Sequence, residues 1–432
     1  MAKPPSPRKR ANFLSGNILV FSLVDLLGNF ARAMVFPYVS LYVLALGGDA
    51  TRIGFVSSLR PLAGLIMFPI AGYIADRANR VRLIVLGSCY SALVILLYML
   101  APSWQVVAVA ALLQGFAVFL FPARSALIAD SLAPGDRGRG IAAMNTISSL
   151  LAIFAPYIAG VIIDAYGANM GMRVLYATMF TLYAVSIAMQ ARFLKETRPS
   201  DGEPLKLSNL PNVLRDAYKG IPALLRRFPR PLKALTGVII LSFMINGVAS
   251  PFWVVYALEH IGLSSSQWGL ILLIETLLKL VFFMPAGVLV DRWGRTASLL
   301  TALSLSLISI PAFIFVDGFI TALAVRAVIA AAFAIAIPAC TALMADITPR
   351  DIRGQVMAAV GQGGIMIGMA GGGTGGPATG YLITVPLMAA SLAGGYLYTW
   401  HSTYPWLFAL IATVISIVLT VLFIRDPENA EV

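Results

Sequence analysis

Long apolar runs alternate with short polar stretches along almost the whole chain. Most of the runs are about 20 residues long and hold few charges, which is the length at which an α-helix crosses the hydrocarbon core of a bilayer. The pattern therefore predicts an all-α integral membrane protein. The predicted spans cover, approximately, residues 17–46, 53–75, 83–101, 104–129, 140–163, 174–193, 235–257, 269–290, 297–315, 320–345, 354–400 and 406–424.

The eleventh run is too long for one helix. As a continuous helix, residues 354–400 would extend about 70 Å, more than twice the thickness of the hydrocarbon core. The glycine-rich stretch from Gly368 to Gly380 predicts a break, either as a discontinuous helix or as a hairpin that dips into the protein. Two complete spans here would make thirteen in all. We prefer twelve, which keeps both termini on one side of the membrane.

Composition and charge agree with a membrane protein and orient it. Hydrophobic residues make up 59% of the chain and charged residues 12%, whereas soluble domains contain nearer a half and a quarter. The net charge is +12, but 24 of the 31 Lys and Arg lie in the tail, in every second loop, in a central linker or at the carboxy terminus. The opposite loops hold only Arg52 and Arg173. This positive-inside pattern predicts cytoplasmic termini in the plasma membrane, with the lipid bilayer and not nucleic acid as the partner.

Two segments outside the spans differ from the short loops. Residues 1–14, with three prolines and four basic residues, predict a disordered cytoplasmic tail. Residues 195–232 hold no spanning run and predict a cytoplasmic linker. Apolar and basic linker residues recur at helical spacing, which favours an amphipathic helix on the membrane surface, but Pro222 and Pro229 interrupt the pattern. A solvated, partly helical loop is therefore an alternative.

A short charged motif occurs twice. The chain reads GYIADRANR from Gly72 and GVLVDRWGR from Gly287, at an offset of 215 (287 − 72). A second pair, residues 121–130 and 337–346, repeats at an offset of 216 (346 − 130). Such matched offsets indicate duplication, so we predict two six-helix bundles related by a pseudo-two-fold axis, at 15–194 and 233–432.

The repeated motif is similar to the G-x-L-A-D-R-x-G-R signature of the major facilitator superfamily (MFS) of secondary transporters. The residues that match it are Gly72, Asp76, Arg77 and Arg80 in the first copy, and Gly287, Asp291, Arg292, Gly294 and Arg295 in the second. The resemblance implies the MFS fold, a central cavity lined by spans 1, 4, 7 and 10, and a cytoplasmic gate locked by the motif.

The roles of the gate residues follow partly from chemistry. We expect the motif glycines to let two helices approach closely, and the arginines to form charge-assisted hydrogen bonds. The resemblance makes Asp130 and Asp346, at the inner ends of spans 4 and 10, the ion-pair partners of these arginines; the alternative is that each is a solvated acid at a helix end. Arg124 lies near the same inner end and is assigned to the gate.

Signatures of proton-coupled antiporters are present only in fragments. The R-x-x-Q-G pattern of span 4 retains Gln114 and Gly115, but Ala111 occupies the arginine position. Its counterpart in the second half, at the same offset as the motif (326 − 111), is Arg326. In span 5 the signature is reduced to Ala-Pro at 155–156 and Ala-Gly at 159–160. The resemblance to the drug-exporting antiporters is therefore incomplete.

Charged residues within the spans indicate the path of the substrate and of a coupled proton, because an ionisable group in the bilayer is costly. They are Asp25, Arg32, Arg60, Glu275, Lys279 and Arg326. Two carboxylates face four cations, which leaves a surplus of two positive charges for an anionic substrate to neutralise. The alternative is that these groups only pair with one another to stabilise packing. Asp25 and Glu275 are the candidate proton carriers, since His260 and His401 lie near outer helix ends.

These features predict a monomeric secondary active transporter that moves a small organic solute by alternating access, with proton-coupled efflux as its mode. Uptake or exchange of an organic anion is the first alternative, and a non-transporting receptor of the same fold is the second. The two cysteines, Cys89 and Cys340, lie in apolar runs without metal-ligand spacing. No nucleophile motif or histidine cluster lies in a span, so we predict no metal, no cofactor and no enzymatic activity.

Overall fold

The computed structural model describes residues 15–75, 77–197, 210–361, 363–370 and 380–426. Every regular element of this part of the chain is a helix, and no β-strand occurs in it, which confirms the predicted fold class. The predicted tail at 1–14, Asp76 of the first motif and residues 371–379 of the glycine-rich stretch lie outside the described residues.

The helices of the described part are named in chain order, and a 3₁₀ turn at a kink is counted with the helix that it interrupts. They are α1 (Asn17–Ala45), α2 (Ala50–Ala75), α3 (Arg80–Met99), α4 (Trp104–Asp130), α5 (Arg137–Ser149), α6 (Ala155–Phe193), α7 (Leu210–Lys219), α8 (Ile221–Arg227), α9 (Arg230–Glu259), α10 (Ser265–Trp293), α11 (Arg295–Phe315), α12 (Phe319–Ile347), α13 (Arg353–Val360), α14 (Tyr381–Trp400) and α15 (Tyr404–Phe423).

Eleven helices of the described part are long and apolar enough to cross a membrane, one fewer than predicted. Helix α6 accounts for the difference. Its 39 residues include Gly167, whose backbone is not helical, with φ 76° and ψ 164°. A Cβ on Gly171 would lie 2.9 Å from the Cα of Ile163, although residues eight apart in a straight helix are about 12 Å apart. The chain therefore turns back at Gly167, and α6 has two arms.

Helices α13 and α14 show that the predicted break begins earlier than expected. The sequence placed it at Gly368, but α13 already ends at Val360, because Gly361 adopts the left-handed conformation (φ 86°) that terminates a helix. At the other side of the break, a Cβ on Gly380 would overlap the carbonyl of Ala359. The chain thus leaves the helix at Gly361 and is back beside the same point at Gly380, where α14 begins.

The first turns of α3 and α11 are capped in the same way by a carboxylate, and the positions of the two carboxylates show that the second half contains extra residues. Glu196, just after α6, accepts a hydrogen bond from the Val81 amide at 3.1 Å, and Asp426, just after α15, accepts one from the Thr296 amide at 2.8 Å. The offset between the two amides is 215 (296 − 81), but the offset between the two carboxylates is 230 (426 − 196). The second half is therefore longer between these points, and the break between α13 and α14 provides room for the extra chain.

The linker contains helices α7 and α8, and it docks against the bundles. The Tyr218 hydroxyl donates a hydrogen bond to the carbonyl of Leu65 in α2. That carbonyl lacks its usual helical partner because Pro69, four residues on, has no amide hydrogen. Burial and the neighbouring Tyr381 raise the pKa of Tyr218, so the hydroxyl keeps its proton and remains a donor. The linker is thus not a solvated loop at this point.

The two halves contact each other closely at the end opposite the two Asp-Arg motifs, which the charge pattern predicts to be the outer end. The Tyr38 hydroxyl of α1 lies 2.8 Å from the carbonyl oxygen of Pro156 and 3.1 Å from that of Ser265, which begins α10. The Asp164 carboxylate accepts hydrogen bonds of 2.9 Å from the amides of Ser265 and Ser266. These contacts join α1 and α6 of the first half to α10 of the second.

Gly160 makes the outer contact sensitive to one methyl group. A Cβ at this position would overlap the carbonyl of Ser265, so Gly160→Ala is expected to separate the outer ends, with a strain of roughly 1–3 kcal/mol. The measurement is disulfide cross-linking of a Thr51→Cys, Thr399→Cys pair, because these hydroxyls lie 2.9 Å apart and join α2 of the first half to α14 of the second. We expect cross-linking to fall at least about fivefold.

The matched control is Gly318→Ala, since a Cβ on Gly318 meets no described atom within 4 Å. Both proteins carry the Cys89→Ser and Cys340→Ala replacements, which remove the free cysteines. Equal cross-linking in the two variants would show that Gly160 does not control the outer contact.

Candidate functional site

A cavity of about 500 Å³ lies between the halves, and four charged residues from the spans of the first half line it, namely Asp25, Arg32, Arg60 and Arg124. Its wall is formed by α1, α2, α3, α4 and α6, and on the opposite side by α14 and part of segment 363–370. Aromatic and thioether side chains make up much of the apolar surface, namely Phe21, Phe36, Phe68, Phe121, Met179, Met366 and Met369. No described residue of α9 or α12, the helices at predicted spans 7 and 10, lines it.

The acidic group in this wall is already neutralised. Asp25 of α1 forms an ion pair with Arg124 of α4, and their side chains are 15% and 25% exposed. The Arg124 guanidinium also lies over the ring of Phe21, 5.1 Å from its centre. Arg124 was assigned to the gate from its place in the sequence, but in the structure it lies in the cavity and pairs with Asp25.

Arg32, two turns along α1 from Asp25, has only neutral hydrogen-bond partners among the described residues. It donates to the Tyr183 hydroxyl at 3.1 Å and to the Asn29 side-chain oxygen at 2.5 Å. Both bonds orient the guanidinium toward the cavity without cancelling its charge. Its positive charge is therefore available to a ligand.

Arg60 of α2 is the second cation without a described carboxylate partner. Its guanidinium lies 5.0 Å from the centre of the Phe36 ring, a cation–π contact that orients the group but leaves its charge. Arg60 lines the main cavity and also a second cavity of about 70 Å³ beyond it. It therefore forms part of the boundary between the two spaces.

The cavity wall holds three arginines and one aspartate among its described residues, a surplus of two positive charges. Because Arg124 is matched by Asp25, the surplus resides on Arg32 and Arg60. The sequence predicted a surplus of the same size, but from a different set of residues that included Lys279 and Arg326.

The remaining charges of the predicted pathway form a separate cluster in the second half. Arg326 Nε donates to Glu275 Oε2 at 2.7 Å, and Lys279 Nζ lies 2.6 Å from Glu275 Oε1. Arg326 is 0% exposed and Glu275 2% exposed. The Trp253 ring lies 4.7 Å from the guanidinium, and Gly368 provides a carbonyl acceptor for Arg326 Nη1 at 2.8 Å. These three charged residues do not line the cavity.

The gate arginines lie beside the two predicted aspartates. Arg80 contacts Asp130 at 2.5 Å, and Arg295 contacts Asp346 at 3.4 Å. Each pair joins helices of the same half, so neither pair holds the two halves together in this conformation. Arg77 packs on the ring of Tyr73, 4.2 Å from its centre.

The motif glycines do not act here as expected. A Cβ on Gly72 or Gly287 would meet no described atom within 4 Å, so the predicted close helix approach at these positions is wrong for this conformation. Gly294 is different, because a Cβ there would overlap the Asp426 carboxylate. Asp291 and Arg292 are exposed.

Some site residues were missed by sequence reasoning. Tyr183 and Asn29 were missed because neutral residues in an apolar run give no signal. The position of Arg124 could have been suspected, since its counterpart in the second half is Cys340, whereas the gate residues are repeated. Met366 and Met369 lie in a segment whose path depends on the break after α13.

Comparison with known proteins gives consistent matches along the chain. A family model described as "Major Facilitator Superfamily" matches residues 21–235 and residues 235–432. An uncharacterized MFS-type transporter of Methanocaldococcus jannaschii is 23% identical over 296 residues, which are 66% of this chain and 69% of that protein. Multidrug resistance protein MdtG of Salmonella arizonae is 24% identical over 349 residues, 79% of this chain and 83% of the relative.

The fold also matches a solved structure. The crystal structure of nucleoside transporter NupG superposes with a TM-score of 0.68, at 16% identity, over 94% of this chain and 97% of the NupG chain. At this identity the likeness concerns the fold alone.

Proposed function

Since the chain belongs to the Major Facilitator Superfamily, as its two Asp-Arg motifs led us to expect, we propose that it is a secondary transporter of a small organic anion. The observation that supports this substrate class is the surplus of two positive charges on Arg32 and Arg60 in the central cavity. Neutral or cationic substrates would leave that charge without a partner.

The energetic reason is desolvation. A guanidinium removed from bulk water and left without a counter-charge is costly, so an unmatched one within a membrane span indicates a function. A carboxylate, sulfonate or phosphate accepts two parallel hydrogen bonds from an arginine. A cavity of about 500 Å³ has the size of a small-molecule site, and its aromatic wall suits an apolar body attached to the anionic group.

The arrangement of the halves supports alternating access. In this conformation the outer ends are in contact through Tyr38, Gly160 and Ser265, while the gate ion pairs stay within each half. The cavity would therefore exchange its ligand on the inner side. Release on the outer side would require the contact around Gly160 to separate.

Proton-coupled export of small organic compounds is the second candidate. It is favoured by the multidrug resistance name of the Salmonella relative and by Asp25, a carboxylate in the cavity wall. The substrate charge decides between the two modes. Protonation of Asp25 would free Arg124 and raise the surplus from two charges to three, so a proton and an anion would bind together and move in the same direction. Antiport requires that proton and substrate compete.

Transport in proteoliposomes tests the proposal. Benzenesulfonate is a suitable probe because it stays ionised at any accessible pH and does not cross the bilayer as a neutral acid. We expect trans-loaded benzenesulfonate to accelerate uptake of the labelled compound, and benzyltrimethylammonium to have no effect. An inward proton gradient should increase net uptake if Asp25 carries the proton, and Asp25→Asn should abolish only that increase.

Two controls make the result interpretable. Arg192→Gln removes an exposed arginine that lies outside both the cavity and the gate motif, and this variant should transport normally. Export of benzyltrimethylammonium that is driven by protons moving inward, with no benzenesulfonate exchange, would reject the anion proposal and support the export alternative.

A further inference from the structure

Segment 363–370 is the part of the protein that the two-fold repeat does not explain. It follows the point where α13 ends, and it belongs to the region in which the second half is longer than the first. The end of α13 and the start of α14 nevertheless lie side by side, since a Cβ on Gly380 would overlap the carbonyl of Ala359. In the first half the corresponding break, between α5 and α6, comprises only residues 150–154, so most of segment 363–370 has no counterpart there.

Two hydrogen bonds hold the segment against α9 and α12, and one glycine approaches α12 closely. The Met366 amide donates to the Ser242 hydroxyl of α9 at 3.2 Å. The Gly368 carbonyl accepts from Arg326 of α12 at 2.8 Å. A Cβ on Gly363 would lie 3.1 Å from the carbonyl oxygen of Cys340, also in α12. The segment therefore covers the two helices from which the resemblance implied a cavity lining.

Gly368 is suited to this position by its backbone. Its φ of 57° lies in the left-handed region that side chains disfavour, and a Cβ there would overlap the Ile329 side chain. With glycine, the chain turns closely past α12 and presents its carbonyl to the buried Arg326. Arg326 is then fully engaged by Glu275 and Gly368.

The segment presents two methionines to the cavity. Met366 and Met369 line it from the second half, opposite the phenylalanines of α1 and α2. Thioether side chains are flexible and polarisable, and they make favourable contacts with aromatic rings of varied shape. A planar apolar group between the methionines and Phe68 would fill the space that remains when an anionic group is bound at Arg32 and Arg60.

We propose that segment 363–370 selects substrates with an aromatic body through Met366 and Met369, and that Arg326 positions it through the Gly368 carbonyl. Arg326 is thus a positioning residue and does not bind the substrate. The inference rests on the proposed function and narrows its substrate class to aryl-bearing anions.

Ligand selectivity of the purified protein tests the methionines. The probes are 2-naphthalenesulfonate and methanesulfonate, which share the anionic group and differ in the apolar body. The wild type is expected to bind the naphthyl compound at least about tenfold more tightly. In the Met366→Ala, Met369→Ala double variant this ratio should fall about tenfold, with methanesulfonate affinity within about twofold of wild type. Met357→Ala, an exposed methionine of α13, is the matched control.

The positioning of the segment through Gly368 is tested in the same assay. Gly368→Ala is expected to lower the ratio as the methionine variant does, whereas Gly364→Ala, where a Cβ meets no described atom within 4 Å, should leave it unchanged. If the alanine double variant fails to fold, Met366→Gln with Met369→Gln keeps the side-chain volume. It should still lose the preference for the naphthyl compound.

The outcomes separate the two proposals. An unchanged ratio in folded methionine variants overturns the selectivity inference and leaves the anion proposal intact. Binding of neutral 2-naphthalenemethanol that depends on Met366 and Met369, with no sulfonate binding, keeps the selectivity role and rejects the anion. Failure of the wild type to bind any of the three compounds rejects both.

Discussion

Replacing Glu275 with alanine is expected to destabilise the folded protein by about 3–5 kcal/mol. The reason is that Arg326 and Lys279 would lose the carboxylate that both contact, and Arg326 is completely buried. An unpaired guanidinium without water is among the costliest defects that a single substitution creates. The measurement is the unfolding midpoint of the detergent-solubilised protein.

Asp291→Ala is the matched control, because it removes an exposed carboxylate from the same helix. Adding Arg326→Met to Glu275→Ala should recover at least about half of the lost stability, since neither member of the buried pair then remains alone. This double variant should nevertheless lose the naphthyl preference, because Gly368 has lost its anchor. A Glu275→Ala midpoint equal to that of Asp291→Ala would show that the cluster contributes little to folding.

Reversing the charge of Arg60 is expected to have the largest effect on substrate. Arg60→Glu brings the cavity surplus from two to zero and places a carboxylate where the anion would bind. A charge-assisted hydrogen bond contributes roughly 1.5–3 kcal/mol, so loss of the bond alone lowers affinity about 10- to 150-fold, and repulsion adds to it. Benzenesulfonate exchange in proteoliposomes should fall to the level of empty vesicles.

Arg60→Gln isolates the loss of attraction from the added repulsion and should retain slow exchange at high substrate concentration. Unaltered exchange in Arg60→Glu, with normal folding, would place the anion elsewhere.

The spans could be predicted from sequence because bilayer crossing depends on local composition. Runs such as residues 104–129 are apolar over the required length, and the helix found there, α4, ends within one residue of the prediction. The break after α13 was misplaced by seven residues, because the helix ends where Gly361 adopts a left-handed backbone. The glycine content of the sequence pointed instead to the stretch that begins at Gly368. The helix has already ended at Val360 before that stretch begins.

The candidate site was predictable only as a set of charges. That Asp25 or Glu275 lies in a span is a property of the sequence, but their partners are set by helix packing. Asp25 pairs with Arg124, 99 residues away, and Glu275 with Arg326, 51 residues away. These pairings divide the predicted pathway into a cavity with unpaired arginines and a buried cluster that anchors segment 363–370. The division follows from tertiary contacts, which apolar periodicity does not encode.

The most direct test of the anion-binding cavity is equilibrium binding to the purified wild-type protein by isothermal titration calorimetry. Benzenesulfonate and benzyltrimethylammonium carry the same ring and opposite charges. The expected result is saturable binding of the sulfonate, with affinity that falls at least about tenfold in Arg32→Gln and in Arg60→Gln. The ammonium compound should show no measurable binding. Tighter binding of benzyltrimethylammonium than of benzenesulfonate, or sulfonate binding unaffected by both substitutions, would contradict the proposed function.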